Sequence, residues 1–227
     1  MVPFAAAWEF QKMLVERRVN DDIPDTFLFA EHPPTITRGR GLQRKPGNDD
    51  ELRAMPMGDV PRGTEYFEIE RGGDLTWHGP GQLVVYPIVK LDGKGFGPDH
   101  DVTGFLRKLE KVFGGWLAMQ GVLTESRENA AGIWVTMADR PSRKIASVGI
   151  AVRKWVTYHG IGVNLTSDLA GFHAISPCGF DPDVMTTLAK ESPEFAENGW
   201  SESVRSEVEL EIASLISRGA SVYLQEV

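Results

Sequence analysis

Glycine and proline decide what this chain can become. Its 227 residues hold 24 Gly and 14 Pro, an excess spread along the chain without any repeat or low-complexity run. They point to many tight turns rather than long helices, and the absence of a repeat rules out a collagen-like, mucin-like or disordered chain. Helices fit in three main places. Residues 6–18 put Trp8, Met13 and Val15 among the apolar positions and end on Arg17 and Arg18, cations suited to a helix C-terminus. Asp101 caps a helix in which Val102, Phe105, Leu106, Leu109, Val112, Phe113, Trp116 and Leu117 recur at i, i+3, i+4 and i+7, with Gly121 ending it. The third covers 201–218, with Gly219 as its C-terminal cap.

The remaining apolar runs read as strands at 26–30, 35–37, 66–70, 83–89, 133–136, 145–152 and 155–165, the last kinked at Gly160. Pro87 has no N–H for a ladder, which places the 83–89 strand at a sheet edge or ends it there. A short helix is expected over 183–189. No regular strand–helix–strand alternation emerges, so the expected fold is α+β, a mixed and mostly antiparallel sheet with packed helices. No linker-like shift precedes residue 180. Residues 1–190 therefore read as one domain, and 191–227 as an acidic helical extension packed on it.

The net charge of −8 is unevenly placed. From Phe180 onward there are ten acidic and three basic residues, while the preceding 179 are at −1. A neutral body with an acidic tail argues against nucleic-acid binding, which needs a clustered basic face. No apolar stretch is long enough to cross a bilayer, and no secretory leader opens the chain. The single cysteine excludes an internal disulfide and any zinc site built on two cysteines. A cytoplasmic protein without a metal or other cofactor is expected.

Three segments have the chemistry of a site. Arg71-Gly72-Gly73-Asp74-Leu75-Thr76-Trp77-His78-Gly79-Pro80-Gly81-Gln82 can bring backbone N–H groups close to a ligand, with Arg71 and His78 as further donors. It is neither a phosphate-binding P-loop nor a dinucleotide fingerprint; a plain hairpin is the bland alternative. Cys178 stands between Pro177 and Gly179, outside regular structure, where a thiolate can be stabilised; a lone cysteine is otherwise a small buried hydrophobe. Lys144 opens a strand with Ile145, Ala146, Ser147, Val148 and Gly149, and an ammonium near a thiol lowers its pKa and exchanges its proton. Solvated charges flanking a strand would look the same. His32 and His100 read as surface residues. His78, His159 or His173 could pair with a cysteine, and nothing in their spacing selects one.

In order along the chain, Ala7-Trp8 with Gln11, Glu31-His32-Pro33-Pro34, Arg71 through Gln82, Lys144 through Gly149, Tyr158-His159-Gly160 with Gly162 and Asn164-Leu165, and Pro177-Cys178-Gly179 resemble the lipoate–protein ligase B family. These are the octanoyl-[acyl-carrier-protein]:protein octanoyltransferases. The likeness covers about residues 3 to 188. It implies the fold of the biotin and lipoate ligase catalytic domain and a ping-pong transfer. Octanoyl would pass from octanoyl-acyl carrier protein to Cys178 as a thioester, then to the lysine of lipoyl domains in 2-oxoacid dehydrogenase complexes or of the glycine cleavage H protein. By the same resemblance Lys144 is the acid and base. Arg71, Gly72, Gly73, Asp74, Leu75, Thr76, Trp77, His78, Ser147, Val148, Gly149, Gly160, Ile161 and Gly162 line the acyl pocket. Trp77 stands where the family often has a smaller aromatic and is the expected wall of that pocket. The stretch after residue 190 matches no family block. An ATP-dependent lipoate or biotin ligase, faintly echoed by Arg38-Gly39-Arg40-Gly41, and a non-catalytic lipoyl-domain binder are the rival readings. The run Arg38, Arg40, Arg44 and Lys45 is the expected landing patch for an acidic carrier.

Overall fold

The structure is a computed structural model that describes residues 1–41, 60–128, 130–175, 181–199, 201–217 and 223–226. Cys178, Arg44, Lys45 and Gly219 lie outside the described residues. A seven-stranded sheet forms the centre, in the order β10 (Tyr223–Glu226), β1 (Thr26–Ala30), β5 (Gln82–Ile88), β9 (Val156–Asn164), β8 (Arg143–Arg153), β7 (Ile133–Val135) and β6 (Thr124–Ser126). Only β10, beside β1, is parallel to its neighbour. A smaller sheet holds β2 (Thr35–Arg38) between β3 (Glu65–Glu68) and β4 (Leu75–His78).

One face of the large sheet is covered by α2 (Val102–Met119) and α6 (Glu202–Ser217). The Asp101 side chain accepts from Gly104 N–H to start α2, and its periodic apolar face buries Phe105, Leu109, Phe113, Trp116 and Leu117. These pack with Phe27, Phe29, Leu83, Val85, Ile161 and Val163, and with Val208, Ile212 and Ile216 of α6. On the opposite face, α1 (Phe4–Val19) brings Ala7, Leu14 and Val15 against Leu28, Ala30, Val84, Tyr86 and Ile88. Because β1 and β5 are covered on both faces, they read as continuous apolar runs rather than alternating ones. Four shorter helical pieces complete the described chain: α3 (Ala170–His173), a 3₁₀ turn at Pro182–Val184, α4 (Leu188–Glu191) and α5 (Pro193–Asn198).

Two expectations need correcting here. Pro87 is in a central strand, not an edge strand: β5 lies between β1 and β9. Its missing N–H is harmless because the β5–β9 ladder holds at residues 161–164, is interrupted at His159 with φ +56°, and resumes beyond Pro87, where Thr157 N–H donates to the Val89 carbonyl at 2.9 Å. Thr157 fills the gap, its hydroxyl donating to the Pro87 carbonyl at 2.7 Å and accepting from Val89 N–H at 3.1 Å. The helix expected over 183–189 is replaced by the 3₁₀ turn and the four-residue α4, because Lys144 pairs with Met185 and holds that segment extended.

Candidate active site

The cavity of chemical interest lies between the two sheets. Its floor is small by sequence: Ser147 and Gly149 of β8 stand opposite Gly162 and Gly160 of β9, leaving room above the pleat. Val84 and Tyr86 of β5 continue that floor, and Phe4, Ile69, Arg71, Thr76 and His78 form the roof. The space between floor and roof, counting the part open to solvent, is about 490 Å³. Lys144 lines one end and His159 the other. Since His159 stands opposite Ile150, six residues along β8 from Lys144, the two ends are about 20 Å apart at the strand rise.

The roof is held by close backbone contact. Gly41 N–H donates to the Gly73 carbonyl at 2.8 Å and Arg40 N–H to the Arg71 carbonyl at 3.0 Å. A Cβ on Gly39 would lie 2.4 Å from that Gly73 oxygen, so the Arg38-Gly39-Arg40-Gly41 run has to carry glycine there. The Arg71 side chain then folds inward, its Nη2 donating to the Thr37 carbonyl at 2.7 Å and to the Thr37 hydroxyl at 2.9 Å.

At the opposite end Lys144 is buried, at 3% exposure. Its Nζ is 5.6 Å from the centre of the Trp134 ring. A Cβ on Gly132 would reach within 2.6 Å of the Lys144 Cε, so the glycine leaves the channel through which the lysine stem passes. Gly132 N–H is held in turn by the buried Glu110 carboxylate at 3.0 Å.

Of the residues expected in the pocket, Arg71, Gly73, Thr76, His78, Ser147, Val148, Gly149, Gly160, Ile161 and Gly162 line it together with Lys144. Gly72, Asp74, Leu75 and Trp77 do not. The 71–82 segment is not all loop: 75–78 is a strand, and alternation turns Thr76 and His78 to the cavity while Leu75 and Trp77 face away. Trp77 packs against Phe172, Ile175 and Met185, and a Cβ on Gly171 would run into its ring at 2.1 Å. It is therefore not the wall of this cavity. Phe4, Ile69, Val84 and Tyr86 were missed by sequence reasoning. Tyr86, a polar-tipped ring inside an apolar run, was the available signal.

The histidines separate clearly. His32 is fully buried, not a surface residue: its Nδ1 is 2.8 Å from the Val2 carbonyl and its Nε2 2.6 Å from the Tyr86 hydroxyl. Burial pushes its pKa down to about 4. His78 is pushed down to about 3, by burial first and then by the nearby His32. His159 is buried too, and burial lowers its pKa despite Glu70, whose carboxylate is 3.4 Å from Nε2. That contact holds the Glu70 carboxyl below its usual range. His100 is half exposed beside Asp99, and His173 is exposed, 3.7 Å from Asp183 and away from the cavity. Among the described residues no group of three or more His, Cys, Asp or Glu could hold a metal.

These buried neutral imidazoles make stability depend on pH. The unfolded chain protonates its histidines below about 6.5, whereas folded His32 and His78 stay neutral to about 4 and about 3. Their contribution to stability is thus present above about pH 6.5 and is lost as the pH falls from there towards 4 for His32 and towards 3 for His78. At pH 5 each histidine costs about 2 kcal/mol relative to pH 8. Thermal melts of the native protein should fall steeply from pH 7 to pH 5, and His78→Gln should flatten that slope. An identical slope in the variant would mean that other groups set it.

Residues 3–208 match the lipoyl protein ligase A/B catalytic domain. Octanoyltransferases of Acidothermus cellulolyticus, Thermobifida fusca and Syntrophobacter fumaroxidans are 37%, 39% and 40% identical, each over 84% of this chain and 79%, 75% and 77% of their own. The fold is shared with a bipartite lipoate protein ligase from Thermoplasma acidophilum and with a lipoate-protein ligase A bound with ATP. Both have a TM-score of 0.61 at 13% identity, covering 96% of this chain and 82% or 83% of theirs. With sequence agreeing over most of its length and fold over nearly all of it, this chain belongs to the lipoyl protein ligase A/B catalytic-domain family, with octanoyltransferases among its relatives.

Proposed function

We propose that the protein transfers octanoyl from octanoyl-acyl carrier protein, through a thioester on Cys178, to the acceptor lysine of lipoyl domains. The observation that carries this reading is the buried Lys144 at one end of a glycine-floored cavity, in a chain whose relatives are octanoyltransferases. The Cys178 thiolate attacks the carrier thioester carbonyl. The carrier thiol leaves and takes its proton from the Lys144 ammonium. The acceptor lysine amine then attacks the acyl-cysteine, Lys144 takes the amine proton, and the cysteine thiolate leaves as the amide forms. Backbone N–H groups near the cavity end would hold the oxyanion of each tetrahedral intermediate. No step needs a metal or a further cofactor.

Acceptors of this chemistry are the lipoyl domains of 2-oxoacid dehydrogenase complexes and the glycine cleavage H protein, in the cytoplasm. No helix among the described residues is long and apolar enough to cross a membrane. Residues 1–190 carry the chemistry in this reading, and 191–227 buttress it: the Glu211 carboxylate accepts from Trp116 Nε1 at 2.9 Å.

The test is incubation with octanoyl-carrier and no ATP, followed by mass spectrometry. One octanoyl group should appear on Cys178, be absent from Cys178→Ala, and move to an added lipoyl domain. Acceptor acylation that requires ATP and persists in Cys178→Ala would instead establish an adenylating ligase. Binding of lipoyl domains without any adduct or turnover would leave a non-catalytic binder.

A further inference from the structure

A row of buried polar side chains joins Arg71 and His78, which line the cavity, to the backbone of Lys144 at its end. Arg71 Nη2 donates to the Thr37 hydroxyl at 2.9 Å, and that hydroxyl is 3.4 Å from His78 Nε2. His78 Nδ1 is 2.7 Å from Gln82 Oε1. Gln82 Nε2 donates to Asn164 Oδ1 at 2.9 Å, and Asn164 Nδ2 donates to the Thr186 carbonyl at 3.1 Å. Thr186 N–H then donates to the Lys144 carbonyl at 2.9 Å. All of these residues are buried.

The direction of the row is fixed at both ends. A guanidinium can only donate, and a backbone carbonyl can only accept. Gln82 Nε2 also donates to the Trp77 carbonyl at 3.1 Å, so its amide has one allowed orientation and Oε1 must accept from His78. His78 therefore carries its proton on Nδ1, which leaves Nε2 to accept from Thr37. Every link donates in the same sense, from Arg71 towards Thr186. The charged and titratable groups acting on the His78 ring are Arg71, His32 and His159, none of them acidic, which suits a neutral imidazole. Such a row cannot pass a proton, because carboxamide groups do not relay one at neutral pH. It can only hold geometry.

We propose that Gln82 and Asn164 are positioning residues for acyl transfer, through which the roof of the cavity fixes the backbone pairing of Thr186 with Lys144 and so the place of the lysine ammonium. This rests on the reading of Lys144 as the acid and base. Met185, which bridges Lys144, and Thr186 follow Cys178 in sequence by seven and eight residues. One missing link frees one end of that pairing, and misplacing a reacting group by about 1 Å costs on the order of 10²-fold in rate.

The experiment uses the full chain. In the native protein, 15N NMR of the imidazoles should show His78 protonated on Nδ1 alone, with no titration above pH 5. Gln82→Glu keeps the acceptor for His78 but cannot donate to Asn164. Asn164→Asp keeps the acceptor for Gln82 but cannot donate to Thr186. Each should lower kcat for a small octanoyl thioester by about tenfold to 10²-fold with KM within about twofold. The double variant should be no worse than the poorer single one, because the row is broken once. In a Lys144→Met background, Asn164→Asp should add little.

A native His78 protonated on Nε2 or titrating near neutrality would overturn the proposal. So would native kcat in a folded Asn164→Asp protein, or an undiminished effect of Asn164→Asp in the Lys144→Met background. Should one of the two variants fail to fold, the other breaks a separate link, and the native tautomer needs no variant. Full turnover in Lys144→Met alone would sink the acid–base reading itself, an outcome that the tautomer measurement does not share.

Discussion

Lys144→Met should lose about 10²- to 10⁴-fold in octanoyl transfer, the range for a positioned acid–base group. The methionine stem fits the same channel past Gly132, so the protein should melt within a few degrees of the native chain. Lys144→Arg should recover only part of the loss. Arginine keeps the positive charge that stabilises a thiolate, but it does not release a proton near neutral pH. The channel also opposes it, since the lysine Cε is already 2.6 Å from where a Gly132 Cβ would stand. Single-turnover rates for loading of Cys178 and for transfer to a lipoyl domain, measured separately, check this. Equal rates for Lys and Arg would reduce the lysine to a charge, and native rates in Lys144→Met would remove it from the mechanism.

Gly160→Ala should be the most damaging of the small substitutions. A Cβ there would stand 1.9 Å from the Val85 carbonyl oxygen and 2.7 Å from the Pro87 ring, in the middle of the large sheet. Backbone cannot swing aside as a side chain can, so the expected cost is about 3 kcal/mol or more. At this chain length that corresponds to a fall in Tm of roughly 6 to 12 °C. The cavity floor should deform with it and acyl transfer should fall. Gly115 supplies the contrast, being exposed in α2 with nothing near its missing Cβ. Gly115→Ala should raise stability by about 0.5 to 1 kcal/mol. A Gly160→Ala protein as stable and active as the native one would show that β9 can shift at its bend.

Local pattern was legible where one interaction dominates. The α2 stripe and its Asp101 cap follow from periodicity and a single side-chain bond, and the structure places both as expected. The glycines of β8 and β9 that floor the cavity are assigned to it by the family resemblance and not by local pattern. Legibility failed where tertiary contact overrides a local rule. Pro87 reads as an edge marker because nothing in its neighbourhood announces that Thr157, 70 residues away, takes up the Pro87 carbonyl and the Val89 N–H where the ladder is interrupted. His32, beside two prolines, looked exposed, yet Tyr86 and Val2 come from elsewhere in the chain to enclose it. Trp77 was misplaced for a different reason. The resemblance assigns all of 71–78 to the pocket, whereas the two-residue alternation of the strand at 75–78 turns this ring out of the cavity. The pairing of Lys144 with Cys178 remains a matter of resemblance, since the cysteine lies outside the described residues.

The division of the strands into two sheets has a mechanical consequence. Floor and roof belong to separate ladders, so parting them breaks none of the hydrogen bonds that hold either sheet together. Among the described residues, the main-chain bonds that cross from roof to floor include Gly72 N–H to the Ile150 carbonyl at 2.9 Å, and Leu165 and Thr166 N–H to the Gly81 carbonyl, both at 3.0 Å. The last two sit where β4 turns into β5, and a turn of this kind can flex while the strands on either side keep their registers. Each layer is thus stiffened by its own ladder, while the seam that the octanoyl chain would occupy is tied by these main-chain bonds and by the His78–Gln82 contact.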